Sequence, residues 1–367
     1  MSAVPHAVRI EGRGPVGMAL ALFLSRQGFD AGSISIDAAP ADLPPSLAAR
    51  PIALSLGSWQ LLSRVAALPQ AAPILKVDVS LRGHAGRTRM LASDLRAPAL
   101  GYVLRYGPLH RALSAALAAR TASSSSSSSS SASGDTARPA LTVIADGDPG
   151  VASRVRDFDQ TALLGEVVVE RDGHGTAFER FTDEGPLALL PLPEARRYAL
   201  VWCGRPANSR RRAALAPGEF DAELRCAFGD ALGTLRLDGE RVLAPLQRRV
   251  RVPGAGSLQL AIGNAAQALH PVAGQGLNLG LRDAFELAQR LGELRAARRP
   301  LAEAAAGFAR ARRADRGLAI TATDVLAQAF TVPAVARIES LALGALDLAA
   351  PARDRLAATL MFGLRAR

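Results

Sequence analysis

Two glycine-rich stretches carry the residues whose types and spacing could do chemistry. Gly12-Arg13-Gly14-Pro15-Val16-Gly17 sets glycines at G-x-G-x-x-G spacing. Gly263 to Ala284, GNAAQALHPVAGQGLNLGLRDA, brings His270, Pro271, Gly274, Gln275, Gly276 and Asn278 to the start of a helical pattern. Glycines leave the backbone bare, so a flat or anionic ligand can come close. Where such a loop opens a helix, unpaired N–H groups and the positive dipole end favour negative charge. The chemistry on offer is the holding of a phosphate-bearing or planar cofactor. For the second stretch, an ordinary loop-to-helix joint is the competing reading.

The elements that must position these residues follow from periodicity. Val8 to Gly12 reads as a strand, and Met18 to Gln27 as an apolar helix that Gly28 ends. Ser33 to Asp37 reads as a second strand closing on an acid 25 residues after Gly12, placed to accept hydrogen bonds from a ribose. Strand, glycine turn, helix, strand and terminal acid together point to a dinucleotide. They do not choose between NAD and FAD. From Leu277, the residues Leu281, Ala284, Leu287, Ala288 and Leu291 recur at helical spacing with polar residues between them.

Further strands are expected over 76–92, from Gly101 into a helix ending near Leu117, and at Leu141–Asp146. More follow at Phe158–Gln160, Leu163–Val169, Thr176–Pro193, Tyr198–Cys203, 242–252 and Leu258–Gly263. Residues 219–232 read as a helix, and the chain after residue 300 reads as helical. Ser123 to Ser131 is an unbroken serine tract with no face to bury, so 121–135 is expected to be a disordered linker.

At 367 residues with 49% apolar content, the chain can build a sizeable core. Its net charge of +11 comes from arginine, since Lys76 is the only lysine. That charge reads either as attraction to an anionic membrane surface or nucleic acid, or as an arginine-rich composition. The arginines are scattered apart from Arg210–Arg212 and the 295–316 region, and no nucleic-acid motif accompanies them, so no nucleic-acid partner is expected. Two cysteines, Cys203 and Cys226, make neither a disulfide framework nor a metal site, and no metal is expected. No signal peptide or membrane span is read, which predicts a cytoplasmic protein, soluble or peripherally bound.

The Gly263–Ala284 stretch resembles the flavin-contacting segment of the FAD-dependent aromatic-ring hydroxylases, in particular those of ubiquinone biosynthesis. Their pattern, G-D-A-A-H, then H-P-x-x-G-Q-G-x-N-x-G and D-A, is matched by His270, Pro271, Gly274, Gln275, Gly276, Asn278, Gly280, Asp283 and Ala284. Asn264 stands where the family has Asp, and Gln267 where it often has His. Pro15 matches the family's G-x-G-P-x-G. Arg50 to Leu62, RPIALSLGSWQLL, resembles its next segment, VSLRGHAGRTRM from Val79 resembles a strand pair of its substrate domain, and FERFTDEGPLALLPLP from Phe178 resembles its sheet over the flavin and the lining of its substrate pocket. The family's A-D-G-x-x-S-x-x-R is kept as Ala145, Asp146 and Gly147, with Gly150 for Ser and Arg154 one residue late. The family's β-meander has no counterpart between Arg120 and Leu141.

The resemblance implies an α/β fold. A Rossmann-like FAD-binding domain (1–75, 100–156, 253–300) interleaves with a β-sheet substrate domain (76–99, 157–252), followed by C-terminal helices from 301. It implies FAD as cofactor and NAD(P)H as co-substrate. Gly12, Gly14, Gly17, Asp37, Arg50, Arg105, Asp146, Asn264, Gly274, Gln275, Gly276 and Asn278 would bind the cofactor. Pro271 would wall the flavin face, and His270 would tune protonation beside it. A flavin takes two electrons from NAD(P)H and uses O2 to oxygenate an activated ring, chemistry no side chain performs. The implied substrate is a polyprenylated phenol, its apolar tail in a pocket walled by Leu187, Leu189, Leu190 and Leu192. Association with a biosynthetic complex, or with the inner membrane face, goes with that substrate. Two alternatives stay open. One is another flavoprotein of the same fold, such as a prenyl reductase or a halogenase, though Lys76 lies outside a halogenase motif. The other is a non-catalytic paralogue serving as a scaffold.

Overall fold

The computed structural model describes residues 8–38, 42–125, 139–151, 153–251, 259–269, 274–305, 307–308, 310–312, 317, 321 and 336–363. In chain order the elements begin β1 (Val8–Glu11), α1 (Pro15–Arg26), β2 (Ile34–Ile36), α2 (Pro45–Ala49), β3 (Pro51–Ser55) and α3 (Leu56–Ser63). Then come β4 (Ala72–Ile74), β5 (Lys76–Leu81), β6 (Arg87–Leu91), β7 (Gly101–Arg105), α4 (Tyr106–Ser125) and β8 (Leu141–Ile144). β9 (Ser153–Val169), β10 (Thr176–Thr182), β11 (Gly185–Pro191), β12 (Arg197–Gly204), α5 (Pro206–Ala214) and α6 (Pro217–Phe228) follow. The last are β13 (Leu235–Arg251), β14 (Gln259–Ala261), β15 (Gln267–Ala268), α7 (Gln275–Ala296), α8 (Ala336–Leu348) and α9 (Ala350–Phe362).

Three sheets organise these elements. The first is parallel, in the order β14-β8-β1-β2. Parallel strands need both faces covered, and α1, α4 and α7 share its core, which includes Ile10, Leu22, Leu109, Val143 and Leu287. Every residue of α1 from Gly17 to Leu24 is buried, which fits its unbroken apolar run. The second sheet has eight strands, in the order β15-β13-β9-β12-β11-β10-β5-β6. α5 and α6 cover one face of it, where Trp202 meets Phe220 edge-on. The third is a small antiparallel sheet, β3-β7-β4, whose core takes in Met361 of α9.

Several expectations are corrected. Phe158–Gln160 and Leu163–Val169 are parts of one 17-residue strand, β9, because β13 pairs along its whole length and absorbs the irregularities in bulges. β13 starts at Leu235, ahead of 242. α5 was not expected: three consecutive arginines hide its pattern, yet Pro206 opens it and Arg212 is buried. Residues 121–125 of the expected linker are helical instead. α4 runs through Ser125, since extending an existing helix costs little per residue, and Ser126 onward lies outside the described residues. Strand alternation divides the expected substrate wall. Leu187 and Leu189 are fully buried against α5 and α6, whereas Leu190 and Leu192 join the cluster of Ile74, Val103 and Met361. Among the described residues, no helix is long and apolar enough to cross a membrane.

Candidate cofactor groove

The three glycines at the mouth of α1 do different jobs. Gly12 has φ +103°, and a side chain there would strike the backbone of Ala145 and Asp146. A Cβ on Gly17 would collide with the carbonyl of Gly12. These two let the turn, the helix and β8 close on one another. Gly14 is different: the nearest atom to a Cβ there would be Tyr106 Oη at 3.7 Å. Gly14 is also the N-cap of α1, and no side chain caps that end. Bare backbone at a positive helix end is an anion site.

Asp37 follows β2 directly. Its Oδ2 accepts the Gly12 N–H at 2.7 Å, and its Oδ1 lies 3.6 Å from an Arg9 guanidinium nitrogen. Arg13 Nη1 donates to the Asp37 carbonyl at 3.1 Å. His110 Nε2–H donates to the Arg13 carbonyl at 3.2 Å. Burial is the main cause holding the His110 imidazole below its usual range, with the Arg13 charge adding to it. Asp146 is exposed, and its Oδ1 accepts the Asp148 N–H at 3.1 Å, so its side chain shapes the turn after β8.

Arg50 ends α2 and is exposed. Its carbonyl accepts the Tyr106 N–H at 2.9 Å. The Tyr106 phenol lies beside Gly14; burial pushes it up, and the Arg50 charge pulls partly the other way. Arg105 is engaged by protein. Nη1 and Nη2 bind Glu166 at 2.6 and 3.1 Å, Nε reaches Glu194 at 3.2 Å, and Nη1 also donates to the Ala49 carbonyl at 2.9 Å. The Glu166 hydrogen bond is the main cause that raises its pKa. Arg105 therefore braces the residue just before Arg50.

The mouth of α7 is the second bare helix end. Gly274 is its N-cap, left-handed at φ 58°, with no side-chain cap. Asn278 is buried and spends its whole amide on backbone. Oδ1 accepts the Ser55 N–H at 2.8 Å, and Nδ2 donates to Ala53 O at 3.1 Å and Gly274 O at 2.9 Å. Gln275 opens the helix, and a Cβ on Gly276 would lie 3.4 Å from Asn264 Oδ1. Asn264 is exposed at this rim. Gly280 packs so tightly on Gly263 and Val16 that a Cβ there would sit 2.9 Å from Gly263 Cα and 2.8 Å from Val16 Cγ2. That crossing sets the starts of α1 and α7 side by side.

The structure thus gathers Gly12, Gly14, Gly17, Asp37, Arg50, Asn264, Gly274, Gln275, Gly276 and Asn278 around two adjoining helix mouths. Arg105 and the Asp146 carboxylate serve protein contacts. His270 and Pro271 lie outside the described residues. Sequence reasoning missed Tyr106, although it directly follows Arg105, and missed Ala53 and Ser55, which have no chemical signature. The residues fit a flavin dinucleotide: two uncapped helix ends lie side by side, glycine leaves the backbone bare at each, and a carboxylate stands at the end of β2.

A family model described as an FAD binding domain matches residues 138–313. The chain is 32% identical to the ubiquinone hydroxylase UbiL of Rhodospirillum rubrum, over 94% of this chain and 86% of that protein. It is 27% identical to the 3-demethoxyubiquinol 3-hydroxylase of Escherichia coli, over 77% of this chain and 78% of that protein. The solved structure of Pseudomonas aeruginosa PqsL in complex with 2-aminobenzoylacetate superposes with a TM-score of 0.69 at 18% identity, covering 89% of this chain and 96% of that one. Klebsiella pneumoniae HpxO complexed with FAD and uric acid superposes with a TM-score of 0.65 at 14% identity, covering 96% and 97%. These two likenesses speak to the fold.

Proposed function

The chain belongs to the ubiquinone-hydroxylase family of FAD-dependent monooxygenases, and on that premise we propose that it hydroxylates the ring of a polyprenylated phenol with NAD(P)H and O2. The observation that carries the residue assignments is the pair of uncapped helix mouths locked together at Gly280, Gly263 and Val16. When bound, the flavin supplies two-electron reduction by NAD(P)H and oxygen transfer to an electron-rich ring carbon.

The chain's own residues bind, orient and exclude water. The α1 mouth at Gly14, with Arg50 beside it, takes the pyrophosphate, and Asp37 takes a ribose. The α7 mouth from Gly274 to Gly276 supports negative charge on the flavin ring through bare N–H groups and the helix dipole. Asn264 keeps an acceptor for the cofactor's polyol chain and adds donors, without the charge an Asp would bring. Asn278 and Arg105 are positioning residues. By the motif match, Pro271 would wall the flavin face and His270 would tune protonation beside it. The sheet face carrying Leu190 is the apolar wall for the tail.

In this reading the FAD-binding part comprises 1–75, 100–156 and 253–300, and the substrate part 76–99 and 157–252. A membrane-resident substrate makes the inner membrane face the place of action, with a biosynthetic complex as partner. The test is direct. Protein loaded with FAD is incubated with NAD(P)H and a polyprenylated phenol, and the products are analysed by mass spectrometry. Substrate-stimulated NAD(P)H oxidation with one oxygen atom added to the ring supports the proposal. Oxidation that yields only hydrogen peroxide, across phenols of differing tail length, rejects the substrate assignment.

A further inference from the structure

A cavity of about 330 Å³ opens on the α6 side of the eight-stranded sheet, and it shares no lining residue with the cofactor groove. Its floor is Ser80 of β5 and Arg180 of β10, with the edge-on pair Phe178 and Phe228 as its apolar wall. The turn carrying His84, with Arg87 at the start of β6, closes one side, and the turn after α6 the other.

The charges around it do not balance. Asp78, buried at the cavity edge, is already bound by Arg87, whose Nε lies 2.6 Å from Oδ1, and is 3.5 Å from Arg89 Nε. Asp230, on the opposite turn, is held by Arg225 at 2.9 Å. Arg82 lies 3.9 Å from Asp183. Arg180 is left over. Among the described residues no carboxylate lies within ion-pair distance of it, its Nε is buried without a hydrogen-bond partner, and its Nη1 donates to Ser80 Oγ at 3.5 Å. Burial first, and then the charges of Arg82 and Arg87, pull its pKa down, against the weaker pull of Asp78 the other way. A guanidinium stays charged even so, and a half-buried charge without an ion-pair partner leaves part of its desolvation uncompensated.

We propose that this cavity is a second ligand site, for a small molecule whose carboxylate or phosphate pairs with Arg180 and whose body packs on Phe178 and Phe228. A guanidinium fork suits either oxyanion, and the volume suits a ligand of one ring. The site is coupled to the C-terminal helices. Gly86 N–H donates to Ser340 Oγ at 2.9 Å and Arg89 N–H to Asp347 Oδ1 at 2.8 Å, so the β5–β6 hairpin is tied to α8.

The test is calorimetric titration of the FAD-loaded protein with benzoate and with inorganic phosphate, at matched ionic strength set by sodium chloride. Saturable one-to-one binding of either is expected, weakened at least about tenfold in Arg180→Gln and partly retained in Arg180→Lys. Binding of benzoate alone assigns an aromatic carboxylate, and binding of phosphate alone a phosphate ester. Ala85 lines the cavity and is exposed, so Ala85→Glu supplies an internal carboxylate without threatening the fold. It should abolish binding, and it decides the matter if Arg180→Gln does not fold. No saturable binding of either anion, or binding indifferent to Ala85→Glu, overturns the proposal.

Discussion

Asn278 accepts the Ser55 backbone N–H at 2.8 Å across 223 residues of sequence. With its bonds to Ala53 O and Gly274 O, it makes β3 and the first turn of α7 one unit. Arg50 directly precedes β3, so the groups proposed for the pyrophosphate and the flavin ring share this strand. Asn278→Leu removes the partner of three backbone groups, each costing about 1–3 kcal/mol where it stays buried. Asn278→Asp keeps the acceptor but sets a carboxylate against two carbonyl oxygens. Both variants are expected to melt lower and to bind FAD at least about tenfold more weakly, with Asp the worse. Flavin fluorescence titration beside thermal melting measures both effects. Unchanged FAD affinity in a folded Asn278→Leu variant would remove Asn278 from its positioning role.

The glycines of the first turn give a sharper separation. A Cβ on Gly17 meets the carbonyl of Gly12, whereas one on Gly14 meets only Tyr106 Oη at 3.7 Å. Gly17→Ala should therefore destabilise the apoprotein by several kcal/mol, on the order of a severe overpacking defect. Gly14→Ala should leave the apoprotein melting temperature nearly unchanged while weakening FAD binding. Melting curves with and without FAD check this. Equal losses of apoprotein stability in the two variants would contradict the division of roles.

These cases show what local sequence can carry. The Gly12–Gly17 turn was legible because its strand, helix and acid all lie within one short span. Asn278 could be matched to a motif, but its partners Ala53 and Ser55 lie far away in sequence and act through backbone, so its job was not readable. GPLALLP is buried on both faces, which erases the alternation that would have separated Leu187 from Leu190. Arg105 was drawn toward the cofactor by resemblance alone. Its actual partners, Glu166 and Glu194, sit on or beyond β9 with no signal linking them to β7.

His110, bonded to the Arg13 carbonyl, is expected to make the stability of the α1 turn pH-dependent. Its folded pKa lies below the ordinary value of 6.5, chiefly through burial. The unfolded chain then binds more protons than the folded one just below that value, so stability falls as pH drops through it. The contribution is complete above about 6.5 and is lost toward the lower folded pKa. In His110→Gln the side-chain amide can still donate to the Arg13 carbonyl but does not titrate. Thermal melts between about pH 5 and 7 should show a shallower decline in this variant than in the unaltered protein. Parallel slopes would mean that His110 does not titrate in this way.

The fully buried pair of Asp283 and Arg312, 2.7 Å apart, ties α7 to the chain beyond it. Asp283 Oδ2 also lies 3.4 Å from the Gly263 N–H, at the crossing that aligns the two helix mouths. Arg312 reaches on to Glu286 at 2.9 Å. Arg312→Met takes the guanidinium away from a fully buried carboxylate, at a cost of about 3–5 kcal/mol. Asp283→Asn in the same chain removes that charge while keeping an acceptor for Gly263, so the double variant should recover a large part of the loss. The cause is the uncompensated charge, since the pair itself contributes little beyond its own desolvation. Urea denaturation of the single and double variants measures the difference. A double variant no more stable than Arg312→Met would assign the loss to packing around Arg312 instead. FAD affinity should track this recovery, because Asp283 accepts from the Gly263 N–H at the crossing that aligns the two helix mouths.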